Sequence, residues 1–480
     1  MRYKVILNAL GFLLIITGGA MGIPLIWALY LREPAVTAFF FSSLASVAAG
    51  LFMFQFFPAG EEIRHREGFA IVTLSWLLVS LFGSLPYVLT GTLPSFIDAY
   101  FETMSGFTTT GASVLSDIET VSLSVLTWRS LTQWLGGMGI VVLFVALLSQ
   151  AGSSAMQMFK AEAPGPVSEK LKPQAKETAK VLWQTYLVLS LACFLLLWAA
   201  GMDFYEAMNH TFTTMATGGY STKNTSIGYY SPLIQWIIIA FMTMAGINFG
   251  LYYLSLRART LKTLWRNQEF RLYLGIILCA TLVVVINIHG KVSHTLEESF
   301  RAAAFQVVSI TTTTGFATAD FDQWPAFSRI LLFLLMFVGG STGSTAGSVK
   351  IFRYLILFKQ AVLELRRQLH PRHVCCLTVD QKPVDNNILI SVLLFFFLYI
   401  LIYCVGWLVL LLTGMDMTSA ASAVATTLGN VGPGLGSVGP AANYAHLLPF
   451  AKVFLAFLML VGRLEIFTVM VLLLPAAWRR

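Results

Sequence analysis

Charged side chains are scarce in this chain: Asp, Glu, Lys and Arg make up 11% of its 480 residues, whereas 57% are hydrophobic. That balance lies far from the soluble average and identifies an integral membrane protein. Acidic residues are the rarer sign, 23 against 31 basic, for a net charge of +8. In a membrane chain such an excess marks the cytoplasmic face, so no nucleic-acid partner is read from it. Cysteine is sparse too. Cys193, Cys279 and Cys404 fall in apolar runs and Cys375 and Cys376 adjoin in a polar one, so neither a disulfide framework nor a metal-site spacing exists. No span gathers a nucleophile, a base and a metal ligand, which argues against a membrane-embedded enzyme. The stretch "GSVK" at 347–350 lacks the Gly-Lys-Ser/Thr of a phosphate loop, and no nucleotide fold or bound cofactor is expected in the chain. His210 and His294 stand near outer ends of spans without ligand partners at metal spacing, and are read as surface histidines.

What the chain has instead is apolar runs able to cross roughly 30 Å of hydrocarbon. Ten are recognised, at about 5–31, 35–57, 68–90, 123–149, 180–200, 232–256, 271–289, 326–349, 388–413 and 447–474. With a cytoplasmic N-terminus, the two ends and the segments 58–67, 150–180, 257–271 and 350–387 lie inside and hold 23 of the 31 Lys and Arg. The positive-inside bias therefore predicts both termini in the cytoplasm. The first run is about 27 residues long and continues into a second, so it is read as a helix and not as a cleaved leader.

Four connections on the outer side are too apolar for ordinary loops: "FETMSGFTTTGAS", "HTFTTMATGGYST", "FQVVSITTTTGFATAD" and "SAVATTLGNVGPG". Aligned on glycine they give Thr109-Thr110-Gly111, Ala216-Thr217-Gly218, Thr313-Thr314-Gly315 and Thr427-Leu428-Gly429, with glycines 107, 97 and 114 residues apart. A lone Thr-Thr-Gly is usually a turn; four at near-equal spacing, each behind a short helix-like segment, make a repeat. Each glycine follows an acidic residue, Asp98, Asp203, Glu298 or Asp416, by 13 to 17 positions. A carboxylate there suits the positive end of a helix and can cap its free N–H groups. Four short helices would then enter from outside and converge with their partially negative C-termini in the membrane, favouring a cation.

Past each short helix the backbone must leave helical geometry at membrane depth, which is tolerated only where it is buried in protein or lines a wet cavity. Glycine permits the positive φ that turns successive carbonyls the same way. Rings of carbonyl and hydroxyl oxygens can replace an alkali ion's hydration shell. The strips are thus expected to form an ion filter, with Leu428 offering only its carbonyl.

With these strips, and with "QWLGGMGIVVL", "TLGNVGPGLG" and "GRLEIFTVMVL", the chain resembles, over essentially its full length, the Trk/Ktr/HKT superfamily of potassium transporters, most closely its bacterial Trk-type members. The resemblance includes two extra N-terminal spans. It implies an all-α membrane protein with four pseudo-symmetric helix-pore loop-helix units around one pore, divided as two N-terminal helices (1–60) and pore units 61–160, 161–262, 263–375 and 376–480. It further implies uptake of K⁺ across the bacterial inner membrane, with Rb⁺ also permeant. One glycine per strip, fewer than in potassium channels, implies weaker discrimination against Na⁺. A TrkA-type cytosolic nucleotide-binding regulatory subunit and a homodimer are implied as partners.

Two elements could gate such a pore. "VGGSTGSTAGSVK", 338–350, interrupts an apolar region of 45 residues that as one helix would reach roughly 67 Å, twice the hydrocarbon thickness. Gly339, Gly340, Gly343, Gly347 and Lys350 are assigned to a mobile intramembrane loop, which in Trk-type proteins obstructs the pore beneath the filter. Gly339, Gly343 and Gly347 also match the spacing of close helix packing, and that alternative stays open. Arg463, deep in the last span, is costly in lipid and requires a partner or a wet cavity. It is expected either to project toward the pore below the filter or to pair with Glu465. Gln133 and the glycines of "WLGGMG" support the first pore helix, line the vestibule or provide tight packing. The basic inward segments are read as solvated or lipid-facing surface.

The filter strips hold no carboxylate or histidine to carry a proton, which favours K⁺ flow driven by the membrane potential. A proton- or sodium-coupled symporter with alternating access remains the alternative; inverted repeats and midplane carboxylates would support it, whereas these four repeats run in one direction.

Overall fold

The computed structural model describes residues 1–57, 65–139, 175–370 and 376–478, and those residues form a helical membrane protein. The expected end of the fourth span at 140–149, most of the basic segment 150–180, Cys375, and the unit boundaries at 60, 160 and 375 lie outside the described residues.

Tyr3–Ala20 and Gly22–Leu31 run on as one apolar span and return through Ala35–Phe56. Small residues let these two helices touch: a Cβ at Gly11 would lie 2.7 Å from Gly50 O, and one at Gly50 2.6 Å from Gly11 O. The pair leans on the first pore unit through His65–Gly83 and Leu123–Gly137.

Each unit then repeats one plan. A long helix, such as Ala175–Ala199, Gln268–Ile288 or Asn386–Leu412, leads into a short buried one, and a second helix leaves. The short helices are Phe96–Phe107, Phe204–Met215, Leu296–Thr311 and Met417–Leu428. Acidic residues cap two of the four N-termini and occupy the first turn of the other two. Asp203 accepts from Tyr205 N, Asp416 accepts from Ser419 N at 3.0 Å, and Thr295 caps the third while Glu298 fills its first turn. Asp98 lies in the first turn of the first helix and pairs with Lys452 at 2.6 Å. Three exit helices pack on a neighbouring unit's short helix: Leu123–Gly137 on the second, Pro232–Ala245 on the third, and Pro449–Arg463 on the first.

Among the described residues six helices are long and apolar enough to cross a membrane, or eight counting two sharply bent pairs, against the ten spans expected. The difference lies in the exit helices, the first of which, Leu123–Gly137, is followed by residues outside the described ones. Pro232–Ala245 turns by 88° into Phe249–Arg257, and Pro449–Arg463 by 118° into Phe467–Leu473. Ala326–Leu335 stops after ten residues, and helix resumes only at Ile351–Leu369. The expected break at 338–350 is therefore real, and its glycines belong to a loop and not to a packed helix. Although Arg463 and Glu465 stand at the second, the two further breaks escape a hydropathy reading because long apolar stretches flank both. Both place non-helical backbone beside the 336–350 loop, where Ser341 N donates to Gly246 O at 2.8 Å and Lys350 pairs with Glu465 at 2.7 Å.

Candidate functional site: a ring of four backbone strips

All four short helices end in the same turn. The residue after the C-cap adopts a left-handed conformation, at Thr109 (φ +54°), Thr217 (+53°), Thr313 (+57°) and Asn430 (+54°). Its N–H donates to the carbonyl three residues back, and the next N–H to the carbonyl five back, as in Thr109 N to Gly106 O and Thr110 N to Ser105 O. The same pair of bonds recurs from Thr217 and Gly218, from Thr313 and Thr314, and from Asn430 and Val431. These are Schellman motifs, which satisfy carbonyls at a helix C-terminus. Two residues after the first left-handed position comes a second one, always glycine: Gly111 (+80°), Gly219 (+77°), Gly315 (+83°) and Gly432 (+102°).

This geometry corrects the sequence alignment in two strips. The second is Thr217-Gly218-Gly219, one residue later than Ala216-Thr217-Gly218. The fourth is Asn430-Val431-Gly432, three residues later than Thr427-Leu428-Gly429; Thr427 and Leu428 are still helical, and Gly429 is the helix cap with φ of −84°. Ala216 is the matching cap of the second helix. Strips one and three stand as aligned. The glycine signal misleads where glycines are doubled, as in Gly218-Gly219, or where asparagine, which tolerates left-handed backbone, replaces threonine.

The strips close on one another. A Cβ at Gly111 would lie 2.2 Å from Gly218 O, at Gly219 2.0 Å from Thr314 O, at Gly315 2.2 Å from Val431 O, and at Gly432 2.7 Å from Thr110 O. Each contact joins a strip to the next, so the four carbonyls form one layer with no room for any side chain on the four glycines. A cavity of about 190 Å³ opens beyond it, lined by these same glycines together with Ser113, Tyr220 and Pro433. The hydroxyls of Thr110 and Thr314 are bonded to those of Thr108 and Thr312 at 2.8 Å, leaving Thr109, Thr217 and Thr313 as the hydroxyl-bearing positions of the first layer.

Behind the ring, polar side chains hold the strips. Gln133 donates to Gly218 O at 2.6 Å and accepts from Tyr220 N at 3.1 Å, so it supports the second strip and not the first helix. Glu102 and Arg129 form a fully buried pair at 2.7 Å; Glu102 also accepts from Val114 N, and Arg129 donates to Ser221 O and lies 3.5 Å over the Tyr220 ring. Asn430 donates to Thr110 Oγ1 and Met459 O, both at 3.0 Å, joining strips one and four. Sequence reading missed Glu102, Arg129 and Asn430; charges inside a pore helix and its neighbour were the available signal. His210, expected at the surface, is buried on the second short helix and bonded to Ser221 Oγ at 3.0 Å, while His294 is exposed.

The helix C-termini abut the glycine-rich loop. Gly347 N donates to Thr313 Oγ1 at 2.8 Å, Thr345 Oγ1 to Met215 O at 3.1 Å, and a Cβ at Gly347 would lie 2.6 Å from Gly429 O. Gly339 and Gly343 have positive φ, and Gly340 leaves no space for a Cβ against Ala346 and Gly246 O. Arg463 completes the layer, donating to Thr109 Oγ1 at 3.2 Å, Thr345 O at 2.9 Å, Gly136 O at 2.6 Å and Gly137 O at 2.7 Å. Glu465 pairs with Lys350 and Arg353, so Lys350 anchors the loop's end.

Four re-entrant units closing a ring of backbone oxygens define a membrane protein of the pore-loop class. A family model described as "TrkH: Cation transport protein" matches residues 33–478. The chain is 41% identical to the Trk system potassium uptake protein TrkH of Escherichia coli strain K12, with 100% of both covered, and 34% identical to TrkG of that strain, with 99% of both covered. Its fold matches the crystal structure of the potassium transporter TrkH from Vibrio parahaemolyticus with a TM-score of 0.91 at 37% identity, again covering 100% of both chains. The chain belongs to the TrkH cation transport protein family.

Proposed function

We infer that this protein takes up K⁺ across the bacterial inner membrane as the pore-forming subunit of a Trk-type system, with Rb⁺ also permeant. The closed ring formed by Gly111, Gly219, Gly315 and Gly432 is the observation that carries this reading. Its carbonyl layer, with the first-layer oxygens of Thr109, Thr217, Thr313 and Asn430, replaces the ion's water with neutral oxygens, as a K⁺ filter requires. The short helices aim their partially negative ends at the same place. A 100 mV inside-negative potential contributes about 2.3 kcal/mol per monovalent ion, sufficient to drive accumulation without a coupled proton.

The loop 336–350 and Arg463 act as the gate. Two donors, Gly347 N–H and an Arg463 guanidinium N–H, bond first-layer hydroxyls that would otherwise face the ion. A fixed positive charge beside a cation path raises the barrier to entry, so conduction requires both to withdraw. Both termini are cytoplasmic by the distribution of basic residues, the active form is a homodimer, and a TrkA-type cytosolic nucleotide-binding subunit drives the gate. Competition for radiolabelled rubidium uptake by K⁺, Na⁺ and Li⁺, in liposomes holding the purified chain, tests the filter. K⁺ should compete at least tenfold better than Na⁺; equal competition removes the filter reading.

A further inference from the structure

Glu269 is the second residue of Gln268–Ile288 and is 4% exposed, a costly place for a carboxylate unless it is bonded. It accepts from Thr342 N, in the middle of the 336–350 loop, at 2.6 Å. One buried carboxylate therefore holds the middle of the loop.

The two residues before it are held by a different element. Thr378–Val379 and Lys382–Pro383 pair as an antiparallel hairpin whose two turn residues, Asp380 and Gln381, have φ of +49° and +64°. Asp380 accepts from Asn267 Nδ2 at 3.0 Å and from Gln268 N at 2.9 Å, gripping the start of the helix that carries Glu269. Lys359 bridges the same junction, donating to Gln268 Oε1 at 2.5 Å and Thr378 O at 2.6 Å. Leu377 and Val379 are buried against Phe352 and Ile356, so the hairpin is packed onto the helix that leaves the loop.

We propose that Glu269 is a positioning residue that latches the loop in its pore-closing place, and that the hairpin, through Asp380, sets the latch. The proposal rests on the reading of 336–350 as the gate. Displacing the hairpin shifts the first turn of Gln268–Ile288, and with it the acceptor on which Thr342 N–H depends. A signal arriving on that face would thereby reach the pore without touching the filter.

The test measures basal rubidium uptake per folded protein, in the full chain in liposomes, for Glu269→Ala, Glu269→Gln, Asp380→Ala, the Glu269→Ala/Asp380→Ala double variant and, as a control on the gate itself, Arg463→Ala. Loss of a charged hydrogen bond shifts a two-state equilibrium by about tenfold or more, so Glu269→Ala should raise basal uptake by about that factor with K⁺ over Na⁺ preference unchanged. Glu269→Gln keeps an acceptor for Thr342 N–H and should give a smaller rise. Asp380→Ala should raise uptake too, and the double variant should not exceed the larger single effect, because the two act in series. A fall in folded yield or uptake without any rise in basal rate would mean a merely structural cap and overturn the latch. Wild-type uptake in Asp380→Ala, or multiplied effects in the double, would overturn the hairpin's part. If Arg463→Ala opens the pore and Glu269→Ala does not, the latch fails while the gate stands; if neither opens it, both fail.

Discussion

Arg463 and Thr109 meet at 3.2 Å, joining the break in the last exit helix to the first residue of the first backbone strip. The same guanidinium reaches Thr345 O in the loop, so charge, loop and strip form one hydrogen-bonded layer. Charged hydrogen bonds are worth about 1.5–3 kcal/mol each. Arg463→Ala should therefore raise potential-driven uptake by at least about tenfold, and Arg463→Lys, which keeps the charge but not the planar fork, should fall between. Uptake rates in liposomes measure both; unaltered flux and selectivity in the alanine variant would remove Arg463 from the gate.

The corrected register makes a direct prediction. A Cβ at Gly432 would press on Thr110 O at 2.7 Å in a backbone conformation with φ of +102° that side chains rarely adopt. Gly432→Ala should cost K⁺ over Na⁺ discrimination about tenfold, roughly 1.4 kcal/mol. Leu428→Met, a volume-conserving change within the helix, should leave discrimination intact. The reverse pattern, read from competition assays, would restore the glycine-based alignment.

Gln133 is the side-chain donor to Gly218 O, and its Oε1 receives Tyr220 N. Gln133→Leu leaves both backbone groups without that partner, at about 1–3 kcal/mol for each buried group. Selectivity should loosen while the protein still folds, a separation that competition assays and thermal melts together resolve.

The Glu102 and Arg129 pair bears on stability. Arg129→Ala leaves the Glu102 carboxylate, 0% exposed, without its guanidinium, at a cost of about 3–5 kcal/mol. The melting temperature in detergent should fall sharply, and Glu102→Gln added to Arg129→Ala should recover part of the loss. An unchanged melt for Arg129→Ala would show that the pair does not brace the strips.

Much of this was legible in the sequence because the constraints on re-entrant backbone are severe. Apolar outer connections, acidic helix starts and Thr/Gly turns located all four short helices, and the excess length of 326–370 exposed the break in the third unit. The register of two strips was not legible. The ring needs left-handed backbone at two positions, and Asn430 meets the first as well as threonine does, so "GNVGPG" offers several glycines without naming one. The breaks at 246–248 and 464–466 were hidden for another reason: apolar stretches flank both, and Arg463 and Glu465, which mark the second, read as a buried charge and its candidate partner and not as a bend. Glu269 and Asp380 gave no signal, since each looks like an ordinary residue at the end of a helix or in a turn.

The central claim is that a ring of neutral backbone oxygens carries K⁺ down its electrochemical gradient. Its most direct test is uptake of radiolabelled rubidium by liposomes containing only the purified chain, with an imposed membrane potential in the presence and absence of a pH gradient. Uptake should follow the potential, be blocked by K⁺ and be indifferent to the pH gradient. Uptake that requires the pH gradient would contradict it and make the protein a proton-coupled symporter.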